Sequence, residues 1–189
     1  MNKPPHAPWT CRATRLILDH SPFLKVEEHH VVLPDGREVP DWPILITPDY
    51  VNVLARTHDN HFLLFRQTKY AVADQLLSPP GGYLEPGENP LEGAKRELRE
   101  ETGYTQGQWH HLGSYIVDAN RRCATAHLYL ATGLRKTHDL HPDDLEHQQL
   151  CLLTRPELEA ALDENHCRVL AWASLLALGL RKLDHLPTS

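Results

Sequence analysis

The feature that most constrains this chain is a loop dense in glycine and proline, Leu77 to Pro90, that runs directly into a segment of helical periodicity, Asn89 to Gly103. Asn89 suits the helix N-cap, Pro90 the first helical position and Glu92 the third position of a capping box, while Gly103 suits the left-handed residue that closes a helix. At about 100° per residue, Leu91, Ala94, Leu98 and Thr102 gather into one stripe, which is predicted to be buried. Glu97 and Glu101 fall four residues apart on one margin of that stripe, with Glu100 further round. Two such charges repel by roughly 0.2–0.5 kcal/mol on an exposed helix, but at ~6 Å and an effective dielectric of ~20 by about 3 kcal/mol. Arg96 can serve Glu92 and Glu100, yet no basic residue is spaced to neutralise both Glu97 and Glu101. A cation between them is therefore expected, against the bland alternative of a solvated charged face. Oxygen ligands without Cys or His suit Mg²⁺, with Mn²⁺ as the alternative. Gly81 and Gly82 let the backbone approach a ligand, and the helix N-terminus beyond them favours phosphate.

The rest of the chain supplies a sheet for this helix. Ile44–Thr47, Tyr50–Ala55 and Phe62–Arg66 read as strands, as do Ser114–Val117, Ala126–Ala131 and Leu150–Leu153. Helices are predicted from about Thr154 and over about Arg168–Leu183. Upstream, Phe23–Leu33 and Arg37–Val39 flank the turn signal Pro34-Asp35-Gly36. The expected organisation is a loose arm over 1–10, a small antiparallel sheet over 11–46 and an α/β core over 47–189, its mixed sheet covered by helices on both faces.

Composition narrows the partners. A net charge of -6 and a pI near 6.1 argue against a protein that lives on nucleic-acid phosphates. The longest apolar stretch, Val169–Leu180, is broken by Ser174 and Gly179 and is too short to span a membrane. Cys11, Cys123, Cys151 and Cys167 lie far apart, and the Pro-rich start offers no signal-like core, so a cytoplasmic location is expected. The 14 histidines show no ligand spacing with acidic or thiol partners and read as surface residues.

Gly82-Tyr83-Leu84-Glu85-Pro86-Gly87-Glu88, seven residues, then Arg96-Glu97-Leu98-Arg99-Glu100-Glu101-Thr102-Gly103-Tyr104 resembles the Nudix box, G-x5-E-x7-R-E-U-x-E-E-x-G-U, at every fixed position. The resemblance implies a Nudix fold, an α/β/α sandwich, and hydrolysis of a nucleoside diphosphate linked to another moiety. By position it makes Glu97 and Glu101 the principal metal ligands, Glu100 a further ligand and Gly81 a backbone ligand. Glu88 and Arg96 become the ion pair that fixes loop to helix. The upstream sheet, Phe65-Arg66-Gln67-Thr68-Lys69-Tyr70 and Leu77-Ser78-Pro79-Pro80-Gly81-Gly82 look like the ADP-ribose and nucleotide-sugar pyrophosphatase branch. That branch implies a homodimer and a late-loop glutamate as general base, for which Glu146 is the candidate. Ala119 stands near a place where the branch often carries proline. Trp42 and Tyr50 are candidate stacking surfaces for a base, and Arg66 a candidate phosphate or base contact. Other nucleotides (GDP-mannose, NADH, coenzyme A, a nucleoside triphosphate) and a non-catalytic nucleotide-sugar sensor are the alternatives.

Overall fold

The computed structural model describes residues 8–139 and 148–187. They divide into two compact units, 1–49 with 116–125 and 50–115 with 126–189. Residues 116–125, placed in the core by the sequence reading, belong to the first unit.

In the first unit, β1 (Thr10–His20), β2 (Leu24–Val32) and β3 (Glu38–Ile46) form an antiparallel meander. The turn expected at Pro34-Asp35-Gly36 is present, closed by Leu33 N–H to Arg37 O at 2.8 Å, with Gly36 at the positive φ that such a turn requires. β3 runs parallel to the start of β9 (Arg122–Lys136), where Leu45 and Ile46 pair with Arg122 and Cys123. β1 was not legible as a strand, because all of its residues are exposed and no inward-facing alternation marks it.

The second unit holds β4 (Tyr50–Thr57), β5 (Phe62–Lys69), β6 (Val72–Ser78) and α1 (Pro90–Thr102), followed by β7 (Tyr104–Thr105) and the greater part of β8 (Gln108–Asp118). It closes with the greater part of β9, β10 (Gln149–Leu153), α2 (Arg155–Asp163) and α3 (Leu170–Leu183). β4 lies parallel to β9 and antiparallel to β5, and β5 is antiparallel to both β6 and β10, so the sheet is mixed. Alternation along β4 splits the core between the two faces. Val51, Val53 and Ala55 pack with Ala94 and Leu98 of α1. Leu54 packs with Leu158 of α2 and Leu175, Leu176 and Leu180 of α3.

The ends of the helices follow their capping residues. The Asn89 side chain accepts from Leu91 N at 2.9 Å and Glu92 N at 3.4 Å, and Gly103 closes α1 in the left-handed conformation. Glu92 does not complete a capping box. Its carboxylate takes Lys95 Nζ at 2.8 Å instead, since one turn along the helix a charged partner competes with the cap amide. At α2, Glu157 accepts from both the backbone N–H and the hydroxyl of Thr154, each at 2.7 Å. No helix of the described residues is long and apolar enough to cross a membrane.

Candidate active site

The stripe expected on α1 is buried at Ala94, Leu98 and Thr102, with Leu91 half-buried against the same cluster. Glu97 and Glu101 lie half-buried at its margin, and Glu100 is exposed. The loop comes to meet that margin. Val53 N–H donates to Pro80 O and Val51 N–H to Gly82 O, both at 2.9 Å, which docks the glycine segment alongside β4. Gly81 N–H then donates to Glu101 Oε2 at 2.8 Å. A Cβ on Gly82 would lie 2.6–2.7 Å from the Glu97 carboxylate, so the bare backbone is what admits this side chain.

Arg96 ties the loop to the helix. Its Nε and a terminal nitrogen donate to the two Glu88 oxygens at 2.9 and 3.0 Å, and that second nitrogen also reaches Tyr83 O at 3.1 Å. Its other terminal nitrogen donates to Glu97 at 2.7 Å and to Glu100 at 3.3 Å. The Arg96 bonds, joined by a backbone bond, hold the Glu88 carboxyl at a pKa of about 2, and Glu88 in turn raises the pKa of Arg96. Glu97, with 15% of its side chain exposed, moves the other way. Burial pushes its carboxyl up against the pull of Arg96, while Glu100 and Glu88 add repulsion.

Arg96 thus supplies the positive charge beside Glu97, through a neighbour-to-neighbour contact that helical spacing did not reveal. Among the described residues, no three Asp, Glu, His or Cys side chains converge as a ready metal site. Mg²⁺ does not require three, because it commonly binds through one or two carboxylates and keeps several waters. Half-buried oxygen donors against bare glycine backbone, with burial disfavouring the charge on Glu97, fit a hard divalent cation.

The structure brings Gly81, Glu88, Arg96, Glu97, Glu100 and Glu101 together at one end of the loop and one margin of α1. Tyr50 begins β4, half-buried and bridged to Tyr83 of the loop, and Arg66 lies exposed on β5 opposite Leu77. Trp42 belongs to the first unit. There its Nε1 donates to Asn120 O at 2.8 Å, the Arg121 guanidinium lies 5.2 Å from the ring centre, and Trp9 packs against it edge-on. Glu146 lies outside the described residues.

The Nudix domain family matches residues 47–173. The chain belongs to the Nudix family. The family described as the nucleoside diphosphate sugar hydrolase N-terminal domain matches residues 9–45. This Nudix chain is 34% identical over 113 residues to the methanol dehydrogenase activator of Bacillus methanolicus, covering 60% of each chain. It is 32% identical over 104 residues to the ADP-ribose pyrophosphatase of Bacillus subtilis (strain 168), covering 55% of this chain and 56% of that protein. The match therefore spans less than two-thirds of either relative. A crystal structure of an ADP compounds hydrolase superposes with a TM-score of 0.77 at 18% identity, over 94% of this chain and 95% of that one. The fold is the Nudix fold that the box implied.

Sequence reading passed over three polar residues near the site. Asn52, Gln67 and Ser78 are all buried, and the available signal was a polar residue inside an apolar strand, as in Val51-Asn52-Val53-Leu54.

Proposed function

We propose that this chain is a pyrophosphatase that hydrolyses the diphosphate linkage of a nucleoside diphosphate sugar such as ADP-ribose, giving a nucleoside monophosphate and a sugar phosphate. The observation that carries the reading is the half-buried carboxylate margin of α1, held against Gly81 and Gly82. The match of residues 9–45 to a nucleoside diphosphate sugar hydrolase domain and the likeness to an ADP-ribose pyrophosphatase support the sugar nucleotide as substrate.

Glu97 and Glu101 would hold Mg²⁺, or Mn²⁺, with Glu100 and the Gly81 carbonyl as further donors. The cation when bound neutralises the phosphate charge and acidifies water. Glu88 and Arg96 keep the loop at a fixed distance from the helix. Glu146 would take the proton of the attacking water, and Tyr50 and Arg66 would contact the substrate. A cytoplasmic homodimer completes the proposal, supported by the exposed apolar run Leu16, Ile17 and Leu18 on β1.

The test is a panel of ADP-ribose, ADP-glucose, GDP-mannose, NADH, coenzyme A and nucleoside triphosphates with Mg²⁺, read by phosphatase-coupled phosphate release. Preferred turnover of a nucleotide sugar is expected, and Glu101→Gln should lower it by at least about a hundredfold with the fold intact. Full activity in Glu101→Gln would refute the site, and no turnover on any compound would favour a sensor.

A further inference from the structure

Two amide side chains are buried in β4 and β5, and both flank the segment that carries Gly81 and Gly82. Asn52 on β4 is 5% exposed and Gln67 on β5 is 6% exposed. The side-chain carbonyl oxygen of each has no hydrogen-bond partner. Such buried, unpaired acceptors weaken a fold, and leucine or methionine would pack at either position without that cost.

Their placement gives them a common use. Gln67 Nε2 donates to the hydroxyl of Ser78, which is fully buried at the end of β6. By strand alternation Gln67 shares the α1 face with Leu63, and Ser78 stands on that face through its pairing with Phe65. Asn52 alternates with Val51 and Val53 and so projects to the opposite, α3 face. Its Nδ2 lies 2.7 Å from where a Gly81 Cβ would stand, so the amide packs directly on Gly81. The segment from Ser78 to Gly82 is thus gripped from both faces of the sheet. At its far end the Gly81 N–H meets Glu101.

We propose that Gln67 and Asn52 are positioning residues, which grip the Ser78–Gly82 segment from opposite faces so that the Gly81 backbone and Glu101 are presented together to a divalent cation. The inference rests on the reading of this site as one that takes such a cation. Substituents behind the atoms that meet a metal commonly change its affinity by about 10–100-fold. The amides also account for polar side chains where packing alone would select apolar ones.

The experiment is direct Mn²⁺ binding by the full chain without substrate, followed by the loss of the free-ion paramagnetic resonance signal, so that turnover does not enter. Gln67→Met with Ser78→Ala removes both partners of the buried bond and nearly preserves the volume at Gln67, and Asn52→Leu replaces the second amide with an apolar side chain of the same branching. Both proteins are expected to unfold no more readily in denaturant than the wild type, yet to bind Mn²⁺ about 10–100-fold more weakly. Should the double variant fail to fold, Asn52→Leu decides the question alone. Wild-type affinity in a folded variant would overturn the grip while leaving the cation site standing. A wild-type protein that binds no Mn²⁺ would overturn both.

Discussion

Helices α1 and α3 cover opposite faces of the same strands, and they do so with different chemistry. α3 meets the sheet with Leu175, Leu176, Gly179 and Leu180, all buried, and carries its charges, Arg181 and Lys182, in the last turn. α1 buries Gly93, Ala94, Leu98 and Thr102 and places Glu97 and Glu101 beside them. Packing holds α3, with one ion pair from its C-cap Asp184 to Arg155 of α2, whereas α1 is tied by Arg96 to Glu88 of the loop that carries the glycines. Carboxylates that are neither solvated nor fully buried are the ones a cation can recruit, and α1 sets Glu97 and Glu101 at the margin of its core stripe.

The contrast can be broken by three measurements. Leu176→Ala empties a fully buried position on the α3 face and should cost about 2–5 kcal/mol in denaturant unfolding, with kcat of the folded enzyme unchanged. An equal loss of turnover would show that the two faces are not separate in function.

The same glycine-to-alanine change should act differently on the two faces. At Gly82 the new Cβ displaces the Glu97 carboxylate, the end of a flexible side chain, so kcat/KM should fall roughly a hundredfold with little change in stability. At Gly179 it meets Leu54 Cδ2 at 2.3 Å inside the core, so stability should fall by about 1–3 kcal/mol with turnover preserved. Parallel steady-state kinetics and thermal melts distinguish the two, and a stability loss in both would dissolve the comparison.

The smallest effect concerns the ion pair that ties α1 to its loop. Glu88 has its pKa lowered from 4.5 to about 2, so its ion pair stabilises the fold above the ordinary value and is lost as pH falls through about 2. Denaturant titrations should therefore find Glu88→Gln less stable than wild type at neutral pH, with the gap closing between pH 4.5 and about 2. A constant gap would mean that the Glu88 charge contributes nothing.

Local signals were readable wherever one segment carried its own instructions. Asn89, Pro90 and Gly103 set the limits of α1, and the period of its apolar stripe alone puts Glu97 and Glu101 at a margin. β1 escaped because an exposed strand has no apolar period to reveal it. The contacts of Trp42 with Asn120 and Arg121 join residues far apart along the chain, and no local pattern announces them.

The sequence by itself determined the carboxylate helix, its stripe and the glycine loop before it, because capping, periodicity and conformational freedom act within a few residues. Only the tertiary structure decided that Arg96 serves Glu97 as well as Glu88, that Gly82 makes room for that carboxylate, and that Asn52 and Gln67 lie buried around the glycine segment. Those relations join residues that the chain keeps apart, and they exist only once strands and loop have packed together.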